Sequence, residues 1–477
     1  MKHGLQSAAS FDDVSFEPEE HAYKASMQDQ DSDIQEGLDQ RRAQARYIAL
    51  ALLAGALAGI FGSLFHLIIK QLITWPAHLA KHVDGLALIV LSALIAMAVT
   101  VLSVFIVRRF APEAGGSGVQ EIEGAMENLR PVRWQRVLPV KFIAGIAALS
   151  SGLVLGREGP TIHIGASFSA AIAQFFKVSD TERRGLLGAG AAAGLACAFN
   201  APLAAILFII EETHNQFPYT FRTYVGVIVA ALASTVATEI IGGTAPDLSM
   251  VVAEPSLTLI PAFVMLGVVL GFIGVSLNAS LMHMTAFSAK LHRHVPYLYP
   301  AIVGLAVGAC FILLPQAVTG GETLIMQLSM HRPVLVMLLV LAVMRYFTMV
   351  ASYSAGTPGG IFAPMLALAI CIGLSFGGLL ETIFPNSGVS ALAFGMAAMG
   401  GLFAASVRAP VVGVALTLEL TGSYTMTLPL IATCVTANLV AQWIGGQPIY
   451  EQLLKRTLEQ AGIDPARSGE RPYSGLG

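Results

Sequence analysis

Seven stretches of the chain run long enough to cross a bilayer with hardly a charge among them: Tyr47–Ile69, Leu86–Val107, Tyr224–Ile241, Ile260–Leu281, Tyr299–Leu314, Pro333–Tyr353 and Leu428–Ile444. A spanning helix needs about 20 apolar residues, and lipid offers no partner to a bare N–H or C=O, so each stretch is expected to be a membrane helix. Only 12% of residues are charged and the mean hydropathy is +0.69, more apolar than a soluble core requires. The 47 glycines and 23 prolines are plentiful inside these runs, which predicts broken, close-packed helices of the kind that line cavities in transporters. The net charge of -3 is uninformative. Cys197, Cys310, Cys371 and Cys434 stand singly in apolar surroundings and read as small core residues; no metal or other cofactor is expected.

Residues 1–45 differ in kind. Acidic and rich in Asp, Glu, Gln and Ser, without the basic and apolar regions of a leader, they read as a largely disordered cytoplasmic tail ending in a short surface helix around Asp33–Ala45. Arg41, Arg42 and Arg46 precede the first span and Arg108 and Arg109 follow the second, which puts the N-terminus and that loop in the cytoplasm by the positive-inside rule. The residues Ala111–Leu129 lie between that pair and Arg130, Arg133 and Arg136, so this segment enters the membrane only partway or lies beneath it. Its APEAGGSGVQEIEGA reads as the start of a helix with free backbone N–H groups.

A second oddity is SGLVLGREGPTIHIGA, residues 151–166, which sets Arg157 and Glu158 between glycines in an apolar run. An ionisable group at bilayer depth costs roughly 2.5–3.5 kcal/mol even on a lenient scale, so it points to function. An internal repeat places it. LSSGLVLGREGP (149–160) aligns with YSAGTPGGIFAP (353–364), setting Glu158 on Phe362, and LACAFNAPLAAILFIIEET (195–213) aligns with FAASVRAPVVGVALTLELT (403–421), setting Glu211 on Glu419. PEAGGSG (112–118) matches PQAVTGG (315–321) more weakly. The order argues for a membrane domain of residues 46–446 made of two homologous halves, about 47–242 and 261–446, followed by a C-terminal helix beginning near Tyr450 and a short tail (447–477). Two-half transporters place their site at the midplane, where unwound helix N-termini meet, and such termini attract an anion without trapping it on a full cation. A glutamate at one of them, Glu158, is a tethered anion that occupies the site when ionised and leaves when protonated.

GSGVQEIEGA, GREGPTIHIGA, GGIFAPMLALA and GGQPIYEQLL, in that order on a duplicated membrane chain, resemble the CLC family of chloride channels and proton-coupled chloride antiporters, from about Arg42 to Thr457. The resemblance implies an all-α polytopic membrane protein, an inverted repeat with partial, re-entrant helices, and a homodimer with one pore per subunit around a midplane anion site. It implies chloride held by the Ser117 hydroxyl, the Tyr450 phenol and the N–H groups of Ile361 and Phe362. Glu158 becomes the gating and proton-accepting carboxylate. Antiporters of the family carry a second acid on the cytoplasmic side, which matches Glu212, where channels typically carry an apolar residue; Glu211 is duplicated as Glu419 while Glu212 faces Leu420. The expected function is therefore exchange of chloride for protons.

Other readings stand beside these. A passive chloride channel of the same fold stays open. Ser117 is expected to cap a helix on either reading, Tyr450 could be an interfacial aromatic, and Glu212 a solvated helix end. Arg157 is expected to pair with backbone or a carboxylate, and His163 and His214 to be structural or solvated. Gln120 departs from the family motif, which has proline there; serine rather than proline at 117 favours chloride over nitrate. A cation-coupled symporter lacks its carboxylate cage, and neither GxSxG nor HExxH occurs to support an intramembrane hydrolase. The chain ends soon after its last apolar run, which leaves no room for paired cytoplasmic regulatory modules; a bacterial inner-membrane protein with both termini cytoplasmic is expected, with no nucleic-acid partner.

Overall fold

A computed structural model describes residues 17–213, 216–243, 248–250, 252, 254–385 and 388–464, with side chains from residue 35 onward. Among the described residues regular structure is entirely helical: α1 (Glu17–Leu72), α2 (Trp75–Leu79), α3 (Gly85–Phe110), α4 (Val119–Met126), α5 (Trp134–Ser150), α6 (Glu158–Phe175), α7 (Asp180–Phe199), α8 (Pro202–Glu212), α9 (Phe221–Gly242), α10 (Ile260–His294), α11 (Leu298–Leu313), α12 (Glu322–Met330), α13 (Leu335–Tyr353), α14 (Phe362–Ile383), α15 (Ala391–Val407), α16 (Pro410–Thr421), α17 (Thr427–Trp443) and α18 (Ile449–Gln460). Each of the seven expected spans coincides with a helix, α1, α3, α9, α10, α11, α13 or α17, three of them overrunning it by one or two residues. Of the helices, α14 is a further one long and apolar enough to cross a bilayer, whereas α11, which was expected to span, is shorter.

The segment between the two arginine clusters is two short pieces, a single 3-10 turn at Pro112–Ala114 and α4, as its composition predicts. The acidic N-terminal segment departs from expectation. The helix expected around Asp33–Ala45 belongs to the much longer α1, so the chain from Glu17 on is helical rather than irregular; residues 1–16 lie outside the described residues. Everything that concerns the candidate site belongs to the unit Leu50–Gly477.

Small residues bring the innermost helices into backbone contact. In α7 the run GLLGAGAAAGLA lets α6 approach so closely that a Cβ on Gly194 would overlap the carbonyl of Thr161, and Gly373 on α14 lies likewise against Phe394 and Gly395 of α15. Close approach of this kind replaces the hydrophobic drive that lipid withholds from helix association. The duplicated glutamates cross between the halves: Glu211, near the end of α8, accepts the N–H groups of Val411 and Val412 at 3.1 and 2.8 Å, while Glu419, near the end of α16, accepts those of Leu203 and Ala204 at 3.0 and 2.6 Å. Each carboxylate thus satisfies the orphan donors that open its partner's helix.

Candidate functional site

Three glycine-containing loops meet ahead of α4, α6 and α14. Gly116 N–H donates to Thr357 O at 3.0 Å and Gly359 N–H to Gly116 O at 3.1 Å; Gly156 and Gly360 exchange both their bonds, at 2.9 and 2.7 Å. These bridges tie three helix N-termini, with their unpaired N–H groups and partial positive charge, to one place. Gly118 caps α4 at a φ of +95°, where a Cβ would also strike the His163 ring. A Cβ at Gly156 or Gly360 would overlap the Glu158 carboxyl, so these two glycines form the walls of the slot it fills.

Glu158 is 1% exposed. Its Oε1 accepts the Phe362 N–H, at the first residue of α14, at 2.7 Å, while Oε2 has no partner. Ser117 and Tyr450 are both wholly buried, and neither hydroxyl has a hydrogen-bond partner that meets ordinary geometry. Ser117 Oγ lies against Gly159, next to the acid. The Phe362 ring packs edge-on against Tyr450, centroids 5.8 Å apart, and against Phe208 and Phe403, while Phe199 lies parallel to it. A buried polar group left without a partner costs about 1–3 kcal/mol, so two orphan hydroxyls beside a backbone donor already held by a carboxylate make a place that suits either that carboxylate or a small anion. Ser117, Glu158, Ile361, Phe362 and Tyr450 are thereby brought together. Ser117 is not a helix cap, contrary to expectation: the cap is Gly118, and the Ser117 hydroxyl is left for something else.

Two cavities reach these loops. One of 570 Å³ reaches Gly115, Gly116 and Tyr353 and is lined by Arg108, Arg130, Arg293 and Arg456. The other, of 310 Å³, reaches Gly156 and is lined by His66, Lys70, Arg157 and Glu322. Arg157 donates to the Ala198 carbonyl at 2.8 Å, pairs with Glu322 at 3.6 Å and touches the His66 ring, partners of the expected kind.

Glu212 ends α8, half-buried, within electrostatic range of Glu123, Glu451 and Tyr450. Phe208, one turn earlier on α8, touches Phe362 with ring centroids 5.6 Å apart, so α8 joins Glu212 to the residue that holds Glu158. His163 packs behind Gly118, its Nδ1 without a partner, and His214 lies outside the described residues.

The family model described as voltage gated chloride channel matches residues 99–442. This chain belongs to that CLC family. The H(+)/Cl(-) exchange transporter ClcA of Vibrio cholerae is 43% identical over 86% of this chain and 89% of its own length, and that of Cronobacter sakazakii is 40% identical over 89% and 92%. Among solved structures, a slow cyanobacterial Cl-/H+ antiporter superposes with a TM-score of 0.84 at 32% identity, covering 87% of this chain and 99% of that one. A eukaryotic CLC transporter, 22% identical with a TM-score of 0.73 over 87% and 74%, shares the fold.

Two residues of this CLC chain escaped the sequence reading. Lys141 on α5, fully buried, donates to the carbonyls of Ala114 and Gly116 at 3.0 and 2.8 Å and so props the Ser117 loop from behind. Arg345 on α13, equally buried, does the same for the matching turn, donating to Gln316, Val318 and Thr319 at 2.8–3.1 Å. Both stand as lone cations in apolar stretches, at the same spacing that relates Glu158 to Phe362, and that spacing was the signal that could have found them.

Proposed function

We propose that this chain exchanges chloride for protons across a bacterial inner membrane, with both termini and the arginine-lined cavity on the cytoplasmic side. The names of its relatives support antiport, and one observation carries the reading: Glu158 sits on the Phe362 N–H, beside the unpartnered hydroxyls of Ser117 and Tyr450. The ionised carboxylate fills the place of the anion. On taking up a proton it loses the charge that holds it to the end of α14, swings towards the smaller cavity, and releases the donors of Ile361, Phe362, Ser117 and Tyr450 to chloride. Chloride returning the other way requires the acid to give its proton up. Because an anion and a proton cannot share a path lined by positive helix ends, protons reach Glu158 by a separate route from Glu212. The chain has three parts: an acidic tail to residue 45, a membrane domain of two halves (46–446), and α18 with a short tail. Each subunit holds a complete site, and the active form is a homodimer with one pore per subunit.

The test is reconstitution in liposomes with simultaneous chloride and pH readouts. An imposed chloride gradient should drive protons uphill in the native protein, and Glu158→Gln should pass chloride without protons. Chloride flux with no uphill proton movement in the native protein would establish the passive channel instead.

A further inference from the structure

The one departure from the family motif, Gln120, has a partner in the structure. It is the second residue of α4 and 6% exposed, and its Oε1 accepts the Gly118 N–H at 3.2 Å. Its amide nitrogen lies beside Gly116, the neighbour of Ser117, and Gln120 lines the 570 Å³ cavity together with Gly116 and Tyr353. A proline in this position has neither an acceptor for the Gly118 N–H nor a donor for the cavity. The side chain therefore does two things the motif residue cannot: it withdraws one backbone donor from the group that opens α4, and it adds a neutral N–H2 to the cavity.

We propose that Gln120 sets the anion preference of this chain, resting on the reading of Ser117 as an anion ligand. The strength of the positive field at an anion site is the sum of its donors and helix ends. A strong field rewards the smaller anion, which comes closer to the donors, and a weak field discriminates less. With the Gly118 N–H occupied by an acceptor two residues along the chain, the α4 end of the site offers a weaker field than an uncapped end. Chloride is accordingly less favoured over nitrate here than it is when position 120 cannot cap. The Gln120 amide compensates on the path rather than in the site, since it presents donors to an anion entering from a cavity whose Arg130 is committed to Glu121 at 2.7 Å and whose Arg456 is committed to the Thr285 carbonyl at 2.9 Å.

Three substitutions separate the two roles. Gln120→Pro and Gln120→Met both free the Gly118 N–H; the proline is tolerated because the N–H of a second helical position has no intrahelical acceptor. In both, calorimetric binding of chloride relative to nitrate should rise about fivefold, the worth of one donor. Gln120→Glu keeps the acceptor but adds a negative charge that weakens the positive field further, so the ratio should not rise above the native value, and chloride flux should fall because a carboxylate now faces the entering anion. Chloride-to-proton coupling should be unchanged in all three, since Glu158 and Glu212 remain. Thermal unfolding of each variant guards against misfolding, with Gln120→Met informative if the proline variant is poorly folded. A native ratio in both Gln120→Pro and Gln120→Met, alongside weakened chloride binding in Ser117→Ala, would overturn the proposal and leave the anion site intact. Unaltered chloride binding in Ser117→Ala would overturn the Ser117 reading itself and the proposal with it.

Discussion

Lys141 and Arg345 are the same device used twice, but only one of the loops they hold, that of Ser117, belongs to the candidate site. Removing either cation orphans buried carbonyls, at about 1–3 kcal/mol for each lost partner. Arg345 holds three carbonyls and Lys141 two, so Arg345→Met should lower the unfolding temperature more. Lys141 alone backs the Ser117 loop, and Lys141→Met should weaken chloride binding more than Arg345→Met does. Calorimetry and thermal unfolding of the two variants check both halves of the expectation; equal effects on binding would mean that the cations act only as structural props. At this scale the sequence was a good guide wherever a side chain carries its own chemistry. Glu158 stood out as a charge among glycines, and Tyr450 and Ser117 followed from their motifs. It was a poor guide to Lys141 and Arg345, whose partners are backbone carbonyls and leave no complementary residue to be noticed.

Between elements, the crossed carboxylates of α8 and α16 make a sharper case. Glu211 and Glu212 are neighbours with the same side chain, yet Glu211 is spent on the start of α16 while Glu212 faces other acids. Glu211→Gln and Glu419→Gln each lose a charged acceptor for two N–H groups and should cost about 2 kcal/mol of stability apiece, by nearly equal amounts, since hydrogen bonds to charged groups are worth roughly twice neutral ones. Thermal unfolding in detergent measures this, and the folded fraction of either variant should still couple protons to chloride. A coupling defect in Glu211→Gln, with native stability, would reverse the roles given to the two acids. The long spans were legible because apolar length alone specifies a membrane helix. The short α8 and α16 were not, because each is matched to the partner helix it caps and not to the bilayer, and only the repeat hinted that they existed; α4 was announced by its own Gly-Ser-Gly start. The helical state of the chain from Glu17 was hidden by a composition that resembles a solvated tail.

Across the whole molecule, the proposed exchange assigns a role to both Glu158, held by Phe362, and Glu212, at the end of the helix whose Phe208 touches Phe362. Glu212→Gln should abolish chloride-driven proton pumping in proteoliposomes while chloride binding by calorimetry stays native; full pumping in that variant would remove the distinction from a channel. If the protein is the proposed homodimer and each subunit works alone, a linked dimer with Glu158→Gln in one subunit should keep about half the native proton flux. Loss of all proton flux in that dimer would show that the subunits act together. The bridge between Gly156 and Gly360 has a consequence for biogenesis. Its two strands are separated by about two hundred residues of chain, so a ribosome that has delivered the first half to the membrane has delivered Gly156 without the backbone that satisfies it. Bare peptide groups at bilayer depth are costly, and loop closure over such a separation is slow. The first half must therefore wait, incomplete, until the second is made, and the candidate site is among the last parts of the protein to form.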